Sequence, residues 1–366
     1  MATSRFQIYV LALCAGLLFP SSCLEGYSEV QKQHAALFIF GDSVFDVGNN
    51  DYINTTDIFQ SNFWPYGESY FRYPTGRFSN GRLIPDFIAE YASLPYIQPY
   101  LQPGFDDYIY GVNFASGGAG ALAETYQGFA IGLKTQLSYF KNVEKQLRHK
   151  LGDGEAYTLI STAVYLISIG INDYYTPLTK NYSSTQNEEY VGMVIGNLTN
   201  AIGEIYKVGG RKFGIANLLP LGCLPSFRIR NPDNIGACME EAISLVESHN
   251  IELAKALPEL KSQLQGFKYA SADFYTYLTE RMNRPSEYGL REGKAACCGS
   301  GPYRGHQNCG GRGGVKEYEL CDNVTQYVFF DNHPTETVYH QVSKIWWNQC
   351  TSNVTDHYNL KSLFEI

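Results

Sequence analysis

Short apolar segments alternate with longer amphipathic stretches along most of the chain. Five apolar segments predict buried strands, at 36–40, 111–115, 164–169, 213–218 and 267–272. Apolar residues that recur every three and four positions predict helices at 133–151, 188–208 and 239–264. A closing helix is expected from about Thr335 to Trp347. Strands that alternate with helices favour a parallel sheet covered on both faces, which is an α/β fold.

The first 23 residues have the pattern of a secretory signal peptide. Arg5 precedes a twelve-residue apolar stretch at 8–19, and small residues follow at 21–23. This stretch is too short to span a bilayer, which needs ~20 residues. We therefore expect residues 1–23 to be a signal peptide and residues 24–366 to form one secreted domain. No later apolar run is long enough to predict stable membrane insertion.

The charge balance argues against one class of partner. The chain has 36 acidic and 28 basic residues, so its formal net charge is −8. Nothing in it resembles the basic stripe that nucleic-acid binding requires. Nucleic acid is therefore not an expected partner.

The cysteines suggest disulfide bonds. Nine cysteines occur, and Cys14 and Cys23 would leave with the signal peptide. The seven that remain are an odd number, so at least one stays free or pairs between chains. Four of them lie within 297–321, which favours a disulfide-tied excursion in an oxidising compartment. A zinc site is the alternative, but the spacing lacks a pair of C-x-x-C knuckles, and no metal is expected.

A secreted route also gives the Asn-x-Ser/Thr sequons a chance of carrying glycans. The five candidate asparagines are Asn54, Asn181, Asn197, Asn323 and Asn353. Asn197 differs from the others because it lies inside a predicted helix.

Polar and glycine motifs follow three of the predicted strands. Gly41-Asp42-Ser43 ends the first strand, Gly117-Gly118 follows the second, and Gly170-Ile171-Asn172-Asp173 follows the third. Because the carboxyl ends of parallel strands meet at one edge of a sheet, these loops are expected to converge. A fourth motif, Asp331-Asn332-His333-Pro334, must be brought to the same edge by the last loop.

Together these motifs resemble those of the plant GDSL esterase/lipase family, a branch of the SGNH hydrolase superfamily. The matching segments are 41–50, 77–82, 113–120, 170–173, 219–225, 297–299 and the terminal Asp/His-Pro-Thr segment. The resemblance covers about residue 35 to the C-terminus. It implies a single three-layer α/β/α domain with a flavodoxin-like, five-stranded parallel sheet of order 2-1-3-4-5. It also implies an extracellular hydrolase of acyl or lipid esters, in the apoplast or cell wall, with no cofactor.

The resemblance assigns a role to each motif. Ser43 would be the nucleophile, His333 its general base, and Asp331 the group that orients the imidazole. The oxyanion hole would consist of the Ser43 and Gly118 backbone N–H groups and the Asn172 side-chain amide. Gly117 is an adjacent candidate for the second donor, because a paired glycine leaves the alignment uncertain by one.

The terminal motif departs from the family pattern, since Asp331-Asn332-His333 is one residue shorter than the usual Asp-x-x-His. Two arrangements therefore stay open. Asp331 could still reach the imidazole nitrogen that faces away from Ser43, or a backbone carbonyl or water could orient His333 instead.

The substrate is predicted less sharply, as a small-molecule or lipid ester. The chain has 29 tyrosines and 21 phenylalanines, with many aromatic residues between 52 and 73. These rings could line a cleft or belong to the core, and we favour the core. Two other functions stay open: an acyltransferase that passes the acyl group to an alcohol, and a non-catalytic secreted glycoprotein. The sequence does not predict the oligomeric state.

Overall fold

The central element of this protein is a five-stranded parallel sheet. A computed structural model describes residues 34–230, 236–349 and 358–366. The predicted signal peptide, Asn353 and Cys350 lie outside these residues. The strands are β1 (Leu37–Gly41), β2 (Gly111–Asn113), β3 (Val164–Ser168), β4 (Lys212–Ala216) and β5 (Lys268–Ala272). Their order is β2-β1-β3-β4-β5 and every neighbouring pair is parallel, which confirms the predicted topology.

Ten α-helices are found in the described residues, and they flank the sheet in two groups. The bounds are α1 (Ile84–Tyr91), α2 (Leu133–Leu151), α3 (Asp153–Thr162), α4 (Tyr175–Lys180), α5 (Ser184–Val208), α6 (Pro225–Arg228), α7 (Glu240–Gln263), α8 (Phe274–Asn283), α9 (Glu336–Asn348) and α10 (Leu360–Glu365). Helix α5 packs against α2 and α7, whereas α9 packs against α1 and α10. No helix of the described residues is long and apolar enough to cross a membrane.

The long helices agree with the apolar periodicity, and their ends depend on local hydrogen bonds. Helix α2 has the predicted bounds. Helix α5 begins four residues before the predicted start at 188, because Ser183 accepts a hydrogen bond from the Gln186 backbone and the Gln186 side chain accepts one from the Ser183 backbone. The shorter helices α1, α3 and α8 were not predicted.

The strands of the sheet are buried because both faces are covered. All five residues of β1 and of β3 are buried. The rings of Phe38, Phe140 and Tyr165 contact one another, with centroids 5.4 to 5.6 Å apart. A near-continuous apolar run is the pattern expected of such a strand, which explains why the sequence predicted these two well.

The aromatic segment between 52 and 73 is mostly not core, so that prediction was wrong. Tyr52, Trp64, Tyr70 and Tyr73 are 45 to 60% exposed. Tyr66 is the exception, because it is completely buried.

Four short strands near the C-terminus form two small pairs outside the main sheet. These are β6 (Glu292–Ala296), β7 (Cys298–Gly299), β8 (Glu319–Leu320) and β9 (Tyr327–Phe329), with β6 paired to β9 and β7 to β8.

Three disulfide bonds join the six cysteines of the described residues. They are Cys223–Cys238, Cys297–Cys321 and Cys298–Cys309. This confirms the predicted disulfides, and all six of these sulfur atoms are in bridges rather than available to zinc. Two of the bridges contribute to a small second core that contains Tyr66 and Phe330.

Candidate active site

The loop that follows β1 carries Ser43 to the carboxyl edge of the sheet. Gly41 leaves no room for a side chain, because a Cβ there would lie 2.5 Å from the Ser168 carbonyl oxygen of β3. Asp42 then shapes the turn by accepting a hydrogen bond from the Val44 backbone. Ser43 is 8% exposed and lines the main cavity. The sheet edge thus presents this hydroxyl from a rigid turn.

His333 lies in the loop between β9 and α9, and this loop is fixed at two points. The Phe330 backbone N–H donates to the His333 carbonyl, which closes a tight turn after β9. The Asn332 side chain exchanges hydrogen bonds with the Ser226 backbone and hydroxyl in α6. The fourth motif therefore reaches the same edge as the first.

These two loops bring Ser43, His333 and Asp331 into one chain of hydrogen bonds. His333 Nε2 lies 2.8 Å from Ser43 Oγ, and His333 Nδ1 lies 2.8 Å from Asp331 Oδ1. The same carboxylate oxygen accepts the His333 backbone N–H at 2.8 Å. The shortened motif thus still allows Asp331 to reach the far imidazole nitrogen, because a two-residue spacing turns both donors of His333 toward one oxygen.

The second oxygen of Asp331 contacts two residues that the sequence did not single out. Tyr66 donates its hydroxyl to Asp331 Oδ2 at 2.7 Å, and Arg312 Nη1 lies 3.7 Å from the same oxygen. Burial alone would raise the pKa of Asp331, but its interactions with His333 and Arg312 hold that pKa well below the usual range. Asp331 is therefore a buried carboxylate that stays ionised.

Gly117 and Gly118 follow β2, and their backbone groups differ in availability. The Gly117 N–H donates to Asp46 Oδ2 at 2.8 Å, so it is already occupied. Gly118 lines the cavity, and its N–H makes no hydrogen bond within the described part of the chain. Its φ of 83° suits glycine, and a Cβ there would lie 2.5 Å from the Phe59 ring. The geometry thus favours Gly118 over Gly117 as a donor to a ligand.

Asn172 follows β3 and places its side chain beside the same glycine loop. Its Nδ2 donates to the Ala119 carbonyl at 3.0 Å, which leaves the other amide proton for a second acceptor. The neighbouring Asp173 accepts the backbone N–H groups of Ala121 and Leu122 and the hydroxyl of Thr125. The third motif therefore anchors the loop of the second.

Three buried carboxyl groups support these loops. Burial raises the pKa of Asp42 and Asp46 to about 7 and that of Asp173 to about 6, even though each accepts backbone N–H groups. None of them contacts Ser43 or His333 through a hydrogen bond among the described residues. Their role in this arrangement is to hold backbone groups in place.

A cavity of about 670 Å³ opens beside Ser43 and His333. Most of the residues that line it are apolar or aromatic, and a smaller number are polar. The apolar or aromatic residues include Ile58, Phe59, Tyr126, Phe129, Tyr175, Leu219, Leu221 and Leu224, and the polar residues include Arg230, Gln307, Arg312 and Asn332. An ester with one apolar component fits such a space.

None of the four predicted glycosylation sites in the described residues is among the residues that line this cavity. Asn54, Asn181, Asn197 and Asn323 are exposed. Asn197 lies in α5 and donates its amide to the Met193 carbonyl. Whether these asparagines carry glycans stays a prediction. No group of histidine, cysteine or acidic side chains in the described residues is arranged to hold a metal ion.

Comparison with known proteins points to one family. Residues 37–346 match the family model described as GDSL-like Lipase/Acylhydrolase. GDSL esterase/lipase 1 of Arabidopsis thaliana is 51% identical over 373 aligned residues, which cover 100% of this chain and 98% of that protein. GDSL lipase of Tanacetum cinerariifolium is 52% identical over 366 residues, which cover 100% of this chain and 96% of that protein.

Proposed function

This chain belongs to the GDSL-like lipase/acylhydrolase family and is an ester hydrolase, and we propose that it cleaves acyl or lipid esters through Ser43, His333 and Asp331. The observation that carries this mechanism is the continuous chain of hydrogen bonds from the Ser43 hydroxyl through His333 to Asp331. A serine hydroxyl is a weak nucleophile unless an adjacent base takes its proton. His333 Nε2 is at the right distance to do so.

In the first step, Ser43 Oγ attacks the ester carbonyl carbon while its proton moves to His333 Nε2. The imidazolium that forms is stabilised by the Asp331 carboxylate, which itself stays ionised. Collapse of the tetrahedral intermediate breaks the bond to the alcohol oxygen, and His333 gives its proton to that oxygen. The products of this step are a free alcohol and an acyl group on Ser43.

In the second step, water attacks the acyl-enzyme and gives a proton to His333 Nε2, which acts as the base for a second time. The carboxylic acid leaves when Ser43 Oγ takes that proton back. In both steps negative charge develops on the carbonyl oxygen, where the backbone N–H groups of Ser43 and Gly118 and the amide of Asn172 would donate to it. Such fixed donors commonly give the largest single contribution to this kind of catalysis.

The cavity supports an apolar acyl or aromatic component as part of the substrate. Aromatic side chains line the same cavity as Ser43, so an acyl chain there would be removed from water while the ester reaches the hydroxyl.

We also propose that the enzyme acts outside the cell, in the apoplast or cell wall. The support is the predicted signal peptide at 1–23 and the three disulfides of the remaining domain, since disulfides persist in oxidising compartments.

The test is hydrolysis of a panel of chromogenic acyl esters by native protein and by Ser43→Ala. We expect turnover to be lost in the variant while the fold stays intact by circular dichroism. Ser61→Ala is a matched control, because the Ser61 hydroxyl is also buried but has no hydrogen-bond partner among the described residues. Equal turnover in Ser43→Ala and native protein would refute the mechanism. Product analysis with an added alcohol distinguishes hydrolysis from acyl transfer.

A further inference from the structure

Asp331 has a second set of partners on the side that faces away from His333. Oδ1 is used by His333, whereas Oδ2 accepts the Tyr66 hydroxyl at 2.7 Å. Asp331 is 3% exposed, so water has little access to this oxygen. A buried carboxylate that lacked these partners would lose much of its tendency to stay ionised. The groups on Oδ2 are therefore the ones that could control the orientation and charge of Asp331.

Tyr66 is held in one position by apolar contacts. Its side chain is completely buried, and its ring meets the rings of Phe63 and Phe330 edge to face at 5.4 Å. It belongs to the small core that includes Cys297, Cys298 and Cys309. The hydroxyl is therefore aimed at Asp331 by packing, not by a flexible side chain.

Arg312 approaches the same point from the glycine-rich segment Cys309–Gly314. The Cys298–Cys309 disulfide anchors the start of this segment. Arg312 is 4% exposed, donates to the Gln60 carbonyl at 2.9 Å and also donates to the Tyr66 hydroxyl. The Arg312 guanidinium thus holds the Tyr66 hydroxyl, which in turn holds the Asp331 carboxylate. The positively charged group of Arg312 lies 3.7 Å from Asp331 Oδ2.

Arg312 is also linked to the imidazole through one aromatic ring. Its guanidinium carbon lies 5.6 Å from the centre of the Phe78 ring, and the Phe78 and His333 rings lie 5.0 Å apart. The Phe78 ring therefore packs near both the Arg312 guanidinium and the His333 imidazole.

We propose that Tyr66 and Arg312 are positioning residues of the hydrolytic site. Tyr66 holds the Asp331 carboxylate so that Oδ1 faces His333, and Arg312 supplies the charge that keeps this carboxylate ionised in a buried place. The inference rests on the proposed role of Asp331 in hydrolysis. It goes beyond that role because Tyr66 and Arg312 act on Asp331 and make no hydrogen bond to Ser43 or His333 among the described residues.

The direction of a pH effect follows from the charges around Asp331. The titratable or charged groups that interact with Asp331 are His333, Arg312, Tyr66 and, on α9, Tyr339, which also interacts with Asp42 of the β1 loop. Removing the Tyr66 hydroxyl leaves more of the carboxylate charge for His333, which favours the imidazolium. Removing the Arg312 cation acts in the same direction. Either change is therefore expected to move the acid limb of kcat/KM to higher pH.

The first experiment compares Tyr66→Phe with Tyr339→Phe. Both variants remove a buried phenol hydroxyl, but the Tyr339 hydroxyl has no hydrogen-bond partner among the described residues. In Tyr66→Phe we expect kcat to fall roughly 10-fold to 100-fold, the cost of one hydrogen bond to a charged group, with KM changed less than about twofold. Tyr339→Phe should match native protein in both constants and in its pH profile.

The second experiment compares Arg312→Gln with Arg312→Lys. Lysine keeps the charge and should restore most of the native position of the acid limb, whereas glutamine should not. Native kcat and an unshifted acid limb in Tyr66→Phe would overturn the proposal, even if Arg312→Gln proved unable to fold. An equal shift in the lysine and glutamine variants would overturn the charge role of Arg312. Loss of turnover in Ser43→Ala beside a native Tyr66→Phe would reject this inference alone and leave the proposed hydrolysis standing.

Discussion

The loops with Ser43, Gly118 and Asn172 follow neighbouring strands of a fully packed sheet, whereas Asp331 and His333 follow β9, which pairs with one other short strand. The first region is held by backbone hydrogen bonds to buried carboxyl groups such as Asp46 and Asp173. The second region is held by two disulfides and by long-range side-chain contacts. The two halves of the candidate site are thus stabilised by different kinds of interaction.

Because of this difference, the serine half (Ser43, Gly118 and Asn172) and the histidine half (Asp331 and His333) should respond differently to substitutions. Substitutions in the serine half should lower the stability of the protein core, because its loops are continuous with the main sheet. Damage to the histidine half should affect alignment first, because β6 and β9 lie outside that sheet. The following predictions test that separation.

The largest effect is expected at Asp331. Asp331→Asn keeps the shape of the side chain but favours the wrong imidazole tautomer, so kcat should fall toward ~10⁴-fold. Circular dichroism should stay native, because the change adds no volume. Asp322→Asn is the control, because it makes the same change at an exposed carboxylate outside the site. Near-native turnover in Asp331→Asn would show that His333 works with Ser43 as a dyad.

A smaller loss is expected on the serine half, at Asn172. Asn172→Ala removes an oxyanion donor and should lower kcat roughly 10²–10³-fold with a smaller change in KM. Since its amide also donates to the Ala119 carbonyl, the melting temperature should be measured beside the kinetics. If KM alone rose, Asn172 would be a contact to the ground-state substrate instead.

The disulfides allow the two halves to be compared directly. Replacing Cys298 and Cys309 by alanine frees the segment that carries Arg312, so kcat should fall roughly tenfold, which corresponds to about 1.4 kcal/mol. Replacing Cys223 and Cys238 frees the loop at Leu221 in the cavity wall, so KM should change more than kcat.

Each double variant should also lose stability, by ~2–4 kcal/mol in urea unfolding. Because both variants lose a disulfide bond, the informative quantity is the difference between their effects on kcat and KM. A fall in kcat of the same size in both would contradict the separation of alignment from substrate binding.

The smallest effect on activity is expected at His249, beneath the serine half. His249 is completely buried, its Nδ1 contacts the Tyr174 hydroxyl at 2.7 Å, and burial lowers its pKa to about 3 from 6.5. Between these two pH values the unfolded chain binds a proton that the folded protein does not. The free energy of unfolding should therefore fall as the pH decreases through this window, by on the order of 3–5 kcal/mol.

His249→Gln removes this titration and should flatten the acid side of the stability curve, measured by urea unfolding at a series of pH values. The difference between variant and native protein isolates His249 from Asp42 and Asp46, whose raised pKa values contribute in the opposite direction. An unchanged curve would mean that His249 is protonated in the folded protein. Turnover at neutral pH should be little affected, because His249 does not line the cavity.

Local pattern explains why much of the fold could be predicted from the sequence. Apolar runs such as 36–40 and 164–169 are buried on both faces and are short enough to be strands. The serine and histidine motifs could be found because each lies in a few consecutive residues. The convergence of the loops with Ser43, Gly118 and Asn172 followed from the rule that parallel strands end at one edge, whereas the place of His333 came from the family resemblance.

The contacts behind Asp331 could not be predicted in the same way. Tyr66 lies 265 residues away from Asp331 along the chain. Arg312 reaches the site because a disulfide anchors the segment that carries it. Four clustered cysteines allow three different pairings, so the sequence alone does not select the one that is formed. The sequence predicts core for the whole aromatic segment around Tyr66, because hydrophobicity does not say which ring faces inward. Only the packing of β6, β9 and the glycine-rich segment selects Tyr66 from its exposed neighbours.

The cavity wall has a consequence for redesign. Its apolar side chains come from loops that follow different strands: Phe59 after β1, Phe129 after β2, Tyr175 after β3 and Leu221 after β4. Their side chains make none of the hydrogen bonds that hold the hydrolytic groups in place. A library that varies these four side chains and keeps Ser43, Gly118 and Asn172 unchanged should therefore alter which esters this enzyme accepts without removing its hydrolytic groups. In that sense substrate choice and chemistry rest on different side chains of the same segments.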